Sequence, residues 1–200
     1  KGFYHCFSSG EHGDIFTFLM KTQNLSFPEA VELLAEDAGL EVPRQTPEEV
    51  RKAERRATLQ DAVEFASQFF EKKLRSPEGL HALDYLRRRG LTDEVIKSYR
   101  LGFAPSGNAL KTALNREKIP EDVSLDARLL SPGQEGRPSF DFFRDRVMFP
   151  ICDSRGRPVA FGGRVLGDGD PKYLNSPETP LFHKGHIVYG FPQARKPALE

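Results

Sequence analysis

The chain has 200 residues, of which 38% are hydrophobic, and this supports one domain or two small ones with a real core. Its 29 Lys and Arg residues balance 29 Asp and Glu residues, so the formal net charge is zero. A uniformly basic surface is therefore excluded, and any anion-binding site must come from local clustering. Apolar runs stay well short of the roughly 18 residues that a membrane span requires, so we expect no membrane segment.

The first residues carry neither a signal-peptide pattern nor an initiating Met, so we expect an internal piece of a longer cytoplasmic protein. Cys6 and Cys152 lie far apart in the sequence and cannot make a disulfide framework. Free thiols in a reducing compartment are therefore predicted. A monomer is expected.

The start of the chain predicts a small hairpin or turn followed by two short helices. Asp14 is placed to cap the first helix, and Ser26 with Glu29 forms a capping-box pattern for the second, which Gly39 ends. The segment 43–47 has the composition of a linker. The part before it is too small to be a complete domain unless something staples it.

Three packed helices are predicted next, between about residues 57 and 100. Thr46 and Pro47 give the first helix a start signal. Ser76 and Pro77 open the second helix, which Gly90 ends, and Thr92 caps the third. The predicted packing face of the first helix is Leu59, Val63, Ala66, Phe70 and Leu74. The apolar stripe of the second is Leu80, Leu83 and Leu86.

After Leu101 the sequence is a mixed region rich in glycine, proline and serine. Two strands are predicted after it, at 147–151 and 159–165. A turn at 154–156 joins these strands. Gly162 and Gly163 inside the second strand suggest a bulge or a close backbone approach.

A cluster of cations, an aromatic and an amide follows the glycine pair. Backbone that a ligand can approach closely, beside fixed positive charge, suits a polyanion such as a nucleotide or single-stranded nucleic acid. An edge-strand charge is the alternative for Arg164, and a core aromatic is the alternative for Tyr173. The residues of this cluster are Arg164, Lys172, Tyr173, Asn175 and Lys184.

Two other groups of polar residues have both a functional and a structural interpretation. Arg89 ends a helix just before Gly90, where it can contact a phosphate or simply complement the helix dipole. Carboxylates around the strands do not follow the pattern of a two-metal phosphoryl-transfer site, so we interpret them as turn and solvent-facing residues. These carboxylates are Asp141, Asp145, Asp153, Asp168 and Asp170.

His5, Cys6 and His12 invite a metal reading, because structural zinc sites use Cys and His ligands. Such a site needs four ligands, usually two pairs brought together across a turn. Cys6 has no partner in a CxxC pattern, since Ser9 stands at that spacing. The residues alone therefore disfavour zinc binding.

Four segments resemble bacterial DNA primases of the DnaG type. KGFYHCFSSGEHGDIFTFLM resembles the second half of their zinc-binding domain. The other three segments resemble the N-terminal part of their RNA polymerase domain: YLRRRGLTDEVIKSYRLGFAP, RDRVMFPICDSRGRPVAFGGRVLG and PKYLNSPETPLFHKG. The resemblance covers nearly the whole chain.

The resemblance implies an α+β fold with the remnant of a small zinc-ribbon domain, then a helical segment and a mixed β-sheet subdomain. It assigns 1–42 to a truncated CHC2-type zinc-binding domain and 43–56 to a linker and helix start. It assigns 57–200 to the N-terminal subdomain of the RNA polymerase domain, with the TOPRIM subdomain and its acidic residues expected beyond Glu200. We therefore expect no catalytic residue within the chain.

The implied function is that of an RNA polymerase which makes short primers on single-stranded DNA from nucleoside triphosphates. The resemblance implies Mg²⁺ or Mn²⁺ bound by the TOPRIM subdomain, and a replicative helicase bound by a C-terminal domain. An alternative is a non-catalytic module that binds single-stranded DNA or a replisome partner. The groove for template, primer and nucleotides would be lined by Arg89, Arg146, Arg164, Lys172, Tyr173 and Lys184, with Asn175 alongside.

One departure from the family pattern concerns zinc. Ser9 stands where the family has its last cysteine ligand, and of the four family ligands only Cys6 remains in the chain. We therefore expect no bound zinc here, although the family binds Zn²⁺.

Overall fold

A computed structural model describes residues 2–40, 47–134 and 136–195 of the chain. The chain divides into two compact units, 1–50 and 51–200. Most of the predicted linker at 43–47 lies outside the described residues. Within the described ranges, no helix combines the length and the apolar character needed to cross a bilayer.

The first unit contains an antiparallel hairpin and two helices. Its elements are β1 (Phe3–His5), β2 (His12–Asp14), α1 (Ile15–Gln23) and α2 (Phe27–Asp37). The Asp14 carboxylate caps α1 by accepting hydrogen bonds from the amide and hydroxyl of Thr17, both at 2.8 Å. Ser26 and Glu29 form the predicted capping box at the start of α2. These local predictions are therefore confirmed.

The second unit surrounds an antiparallel sheet with helices. Its helices are α3 (Pro47–Leu74, which begins just before the unit), α4 (Leu80–Arg88), α5 (Asp93–Ser98), α6 (Ala109–Arg116), α7 (Glu121–Asp126) and α8 (Phe191–Arg195). Its strands are β3 (Gly102–Ala104), β4 (Leu130–Ser131), β5 (Phe140–Asp141), β6 (Arg146–Cys152), β7 (Pro158–Val165) and β8 (Tyr173–Asn175). The main sheet has the order β3–β6–β7–β8, and β4 pairs with β5 separately.

The two faces of the main sheet contribute to different apolar clusters. Met148 and Phe161 join Phe70 of α3 in the larger cluster, together with residues of α6 and α7. On the other face Val147 joins Leu86 of α4 in a smaller cluster. The predicted packing face of α3 is confirmed, because all five of its residues are buried.

Two predictions about this unit are wrong, and one alternative of a third is not observed. Leu80 is 51% exposed, because a 3₁₀ turn at Pro77–Gly79 precedes α4 and makes Leu80 its first residue. Leu86 of the predicted stripe is buried and Leu83 packs against the same cluster, and Ala82 is buried in addition. The register shift in the β6–β7 pair lies at Ile151/Cys152, so the bulge, one of the two alternatives predicted for Gly162 and Gly163, is not at the glycine pair. Asp141 does not face solvent: it is fully buried, and its carboxylate accepts the amides of Leu110 and Lys111 at the start of α6, each at 2.8 Å.

An ion-pair network ties α3 to the segment between α5 and β3. The Arg100 guanidinium donates two hydrogen bonds to Glu64, at 2.7 and 2.9 Å, and one to Glu71 at 2.9 Å. Its three partly buried side chains are screened less by solvent than a surface pair. The hydrogen bonds from Arg100 lower the pKa of Glu64 below its ordinary value.

We predict that Arg100→Leu destabilises the protein by about 2 kcal/mol, because it leaves two partly buried carboxylates without their donor. Arg100→Lys should restore only part of this, since an ammonium cannot form the forked pair. Urea unfolding at neutral pH would show a lower midpoint with an unchanged slope. The stabilisation is present above the ordinary glutamate pKa of 4.5 and is lost as the pH falls through the lowered pKa of Glu64. An unchanged midpoint for Arg100→Leu would contradict the prediction.

Candidate nucleic-acid interface

The pairing of β7 with β8 brings together the residues that the sequence placed in one cluster. Arg164 lies opposite Tyr173, and Gly162 lies opposite Asn175. Because directly opposed residues of an antiparallel pair project to the same side, these four positions share one face of the sheet. The segment that separates the two strands in sequence is thereby folded into one surface.

Arg164 contacts two aromatic rings. Its guanidinium carbon lies 4.7 Å from the ring centroid of Tyr85 in α4 and 5.9 Å from that of Tyr173. The same guanidinium donates a hydrogen bond to the carbonyl of Val165 at 3.0 Å. Tyr85 was missed by the sequence analysis, because helical spacing gives no indication of which strand a helix will face.

A cavity of about 380 Å³ is lined by Tyr173 together with neighbouring residues of the sheet, and we call it the aromatic cavity. Its lining is mostly apolar, and Asn175 and Lys184 are its amide-bearing and cationic residues. Aromatic faces next to a cation can stack a base and hold its phosphate. The lining residues are Phe149, Ile151, Gly162, Gly163, Tyr173, Asn175, Phe182, Lys184 and Tyr189.

A second cavity, of about 480 Å³, is lined by Arg164, and we call it the arginine cavity. It combines two cations, Arg164 and Lys172, with a glycine-rich loop. Asp168 is the acidic residue in its lining, and Tyr85 and Leu166 supply the apolar part. Two cations against exposed loop backbone suit a phosphate better than a base.

Tyr173 is the most exposed of the gathered aromatics, at 65%. A hydrogen bond with Arg164 lowers the pKa of its hydroxyl, and the positive charges of Lys172 and Arg89 act in the same direction. Arg89 is the exposed C-cap residue of α4, and its positive charge contributes to the lowered pKa of Tyr173. The predicted cations therefore form a local positive field on a chain of zero net charge.

Lys184 reaches the aromatic cavity from a short loop that Glu178 organises. The Glu178 carboxylate accepts the backbone amide of Lys184 at 2.9 Å and contacts Nδ1 of His183 at 2.7 Å. These contacts, the amide of Lys184 first, lower the pKa of Glu178. Glu178 thus fixes the backbone from which Lys184 projects.

The two glycines of β7 make room for different side chains. A Cβ at Gly162 would lie 2.9 Å from Oδ1 of Asn175, on the face that carries Arg164. A Cβ at Gly163 would lie 3.0 Å from Cδ of Arg146 and 3.0 Å from the ring of Phe143 on the other face. The prediction of a close approach at the glycine pair is confirmed, and the approaching groups are side chains of the protein itself.

Arg146 is not brought together with the other predicted residues. It is only 7% exposed and projects from the opposite face of the sheet, beneath Gly163. Its Nη1 donates to the carbonyl of Pro171 at 2.8 Å, and burial lowers the pKa of its guanidinium. In this position Arg146 supports the loop that presents Lys172.

The first unit offers weak metal-binding chemistry. Hydrogen bonds with Ser8 and Ser9 lower the pKa of the Cys6 thiol to about 6. The rings of His5 and His12 stack with centroids 6.0 Å apart. Nevertheless, no three His, Cys, Asp or Glu side chains within 2–40, 47–134 and 136–195 are grouped so that they could hold a metal ion. The residues present do not fit a closed zinc site.

The β7–β8 face has the composition of a polyanion-binding site in an α+β protein: cations held beside aromatic faces over bare backbone. Two protein-family models match the chain. The N-terminal domain of the DNA primase catalytic core matches residues 69–195, and the CHC2 zinc finger matches residues 1–50. The chain therefore belongs to the DNA primase family.

Individual relatives agree with this assignment. A DNA primase of Pseudomonas putida is 50% identical over 201 residues, covering 98% of this chain and 30% of that protein. The DNA primase of Escherichia coli K12 is 44% identical over 205 residues, covering 100% of this chain and 35% of that protein. The chain thus spans about a third of the length of these relatives.

A solved structure described as the DnaG primase catalytic domain bound to ssDNA has the same fold. It superposes with a TM-score of 0.66 at 41% identity, covering 74% of this chain and 46% of that chain. The expected α+β fold of the primase catalytic core is therefore confirmed.

We predict different outcomes for alanine at the two glycines of β7. Gly162→Ala should displace the flexible end of Asn175 at little cost in stability, and the side-chain amide signal of Asn175 in NMR spectra should shift. Gly163→Ala meets the buried ring of Phe143 and should destabilise by about 1–3 kcal/mol, the typical cost of overpacking. Thermal unfolding followed by circular dichroism measures both. Equal losses of stability would contradict this account.

Proposed function

We propose that this chain is part of a DNA primase, the RNA polymerase that makes short primers on single-stranded DNA. In this proposal the β7–β8 face is part of the groove that holds template, primer and incoming nucleotide. The observation that carries it is the contact between Arg164 and Tyr173, because Tyr173 lines the aromatic cavity and Arg164 lines the arginine cavity. Support comes from family membership and from the related catalytic domain that was solved with ssDNA.

The two cavities suit different parts of a nucleotide chain. Ring faces in the aromatic cavity can stack bases, and this contact tolerates any base because each has a π face. Arg164 and Lys172 in the arginine cavity can neutralise phosphate oxygens. The groups proposed to touch nucleic acid or nucleotides are Arg89, Arg164, Lys172, Tyr173, Asn175 and Lys184. Arg146, which the sequence analysis placed among them, is proposed to act by supporting the loop at Pro171.

The proposed reaction is nucleotidyl transfer. A primer 3′-hydroxyl attacks the α-phosphorus of a nucleoside triphosphate and forms a new P–O bond while losing its proton to solvent. The bond from the α-phosphorus to the bridging oxygen breaks, and pyrophosphate leaves with that oxygen. Residues of this chain would bind and orient the substrates and stabilise negative charge. Divalent metal ions, which the family resemblance implies, would supply Lewis acidity to such a reaction. Because the described carboxylates form no group that could hold a metal ion, we assign no step of the reaction to them.

The alternative is a module that binds single-stranded DNA or a replisome partner without catalysis. The two readings differ in the whole protein, where Lys172→Ala should lower primer synthesis and DNA binding together if the chain is part of the polymerase. If the chain only binds, Lys172→Ala should lower binding and leave synthesis unchanged. The name of the relatives, DNA primase, favours the first reading.

Further features of the whole protein are part of this proposal. We keep the division into a zinc-binding domain at 1–42, a linker and helix start at 43–56 and a polymerase subdomain at 57–200; the family matches over 1–50 and 69–195 support it. A cytoplasmic location, a monomeric state and docking to a replicative helicase outside this chain also stay predictions.

We predict salt-dependent binding of single-stranded DNA that weakens when Lys172 is changed to Ala. Each phosphate contact should add about 0.7 to the slope of log K against log salt, so the variant should lose about one such increment. Fluorescence-anisotropy titrations with a labelled oligothymidylate at several salt concentrations measure this.

The control for this experiment is Lys72→Ala, which removes an exposed lysine that lines a separate cavity with Glu71 and Arg100. The control should keep the slope of the unmodified chain. If neither the chain nor its variants bind DNA at low salt, the cations of the β7–β8 face are ordinary surface charge and the proposal fails for this chain.

We predict that the chain purifies with far less than one zinc ion per molecule, because a serine hydroxyl at position 9 is a poor zinc ligand beside a thiolate. Ser9→Cys should raise the zinc content, and Cys6→Ser should lower whatever zinc is present. Elemental analysis by mass spectrometry measures all three proteins. One tightly held zinc per unmodified chain would refute this prediction.

A further inference from the structure

We propose that Tyr85 is a positioning residue for the groove: its ring holds the Arg164 guanidinium in place for phosphate, and Tyr85 acts through Arg164. The inference rests on the proposed function and deepens it. Neither the sequence pattern nor the family matches assign a role to Tyr85, which lies in α4 and is distant in sequence from the β7–β8 face.

The geometry gives the two rings around Arg164 unequal roles. The guanidinium carbon is 4.7 Å from the centroid of Tyr85 and 5.9 Å from that of Tyr173, so the Tyr85 contact is the closer one. A guanidinium within about 6 Å of a ring centroid is attracted by the negative face of the ring. Stacking in this way uses the flat face of the guanidinium and leaves its N–H edges for anions.

Tyr85 is also the better anchored ring. It is half-buried and packs against the cluster that contains Ala82 and Leu86 of the same helix and Val147 of β6. Tyr173, by contrast, is 65% exposed at the sheet edge. A helix residue fixed by its own packing neighbours gives Arg164 a reference surface that does not depend on the exposed strand.

The difference in distance and burial between the two rings becomes important when a base binds. A base that stacks on the face of Tyr173 toward Arg164 would displace the guanidinium from that ring, since one aromatic face accepts one partner at close distance. Tyr85 then keeps the guanidinium in position while Tyr173 is occupied. The carbonyl of Val165, which accepts a hydrogen bond from Nη1 of Arg164 at 3.0 Å, restrains the same group from the strand side.

The end of α4 links this contact to a second cation. The amide of Arg89 donates to the carbonyl of Tyr85 at 3.1 Å, so the two residues are one helical turn apart. Residues four apart share a helix face. The same turn therefore directs a ring to Arg164 and brings the charge of Arg89 close enough to Tyr173 to lower its pKa.

The test compares Tyr85→Phe, Tyr85→Met, Arg164→Met and the double variant Tyr85→Met/Arg164→Met in the whole chain. Labelled oligothymidylate is the probe in anisotropy titrations at fixed low salt. Tyr85→Phe keeps the ring and should bind within about 2-fold of the unmodified chain. Tyr85→Met should bind about 5-fold more weakly, the size expected for one partly desolvated cation–π contact.

The double variant decides the mechanism. If Tyr85 acts through Arg164, then Tyr85→Met causes no further loss in the Arg164→Met background. Multiplying losses would mean that Tyr85 contacts the ligand independently, and a loss for Tyr85→Phe equal to that of Tyr85→Met would mean that the hydroxyl is the important group. Either result overturns the inference.

Further controls distinguish a failure of folding, a failure of the proposed function and a failure of the role of Tyr85. Thermal unfolding of each variant shows whether Tyr85→Met is folded at the assay temperature; if it is not, Tyr85→Leu replaces it and must show the same non-additivity. If Arg164→Met and Lys172→Ala both bind as well as the unmodified chain, the proposed function fails. If Arg164→Met binds weakly and Tyr85→Met does not, only the positioning role of Tyr85 fails.

Discussion

The antiparallel hydrogen-bonded pairing of β7 with β8 is the constraint on which the candidate site depends. It sets Arg164 against Tyr173 and Gly162 against Asn175, and every other group of the site is arranged around these two pairs. Side chains alternate along a strand, so a shift of one residue would turn Arg164 toward the core and expose its apolar neighbours. The buried Met148 and Phe161 on the opposite face oppose such a shift. The same strand register is therefore required both for the packing of the core and for the grouping of the site residues.

Much of this could be predicted from sequence because the relevant signals are local. Caps at Asp14 and Thr92 rely on hydrogen bonds three residues away, and the helical spacing from Leu59 to Leu74 reports burial directly. The clustering of Arg164, Tyr173 and Asn175 followed from closeness in the chain together with a glycine pair that favours close approach. The proposed role of these residues in a groove for nucleic acid came from the family resemblance, because no spacing rule predicts it.

What sequence could not supply depends on long-range packing. Which face of the sheet Arg146 joins is decided by strand alternation within a register that only the folded sheet defines, and that face is buried. Tyr85 needs the placement of α4 over the sheet before its ring can be matched to Arg164. The burial of Asp141 has the same kind of cause. Its carboxylate accepts hydrogen bonds from two helix amides about thirty residues away, so the residues next to Asp141 in the sequence do not indicate that it is buried.

The glycine floor of the aromatic cavity has a consequence for selectivity. Hydrogen-bond discrimination between bases needs fixed donors and acceptors that face the base edge. Gly162 and Gly163 offer no side chain, and their backbone lies within the sheet ladder; the rings nearby offer flat surfaces. Asn175 presents both a donor and an acceptor through one amide, which suits either kind of edge. A surface built in this way would bind any of the bases with similar strength, which is what the proposed role in holding a template of arbitrary sequence requires.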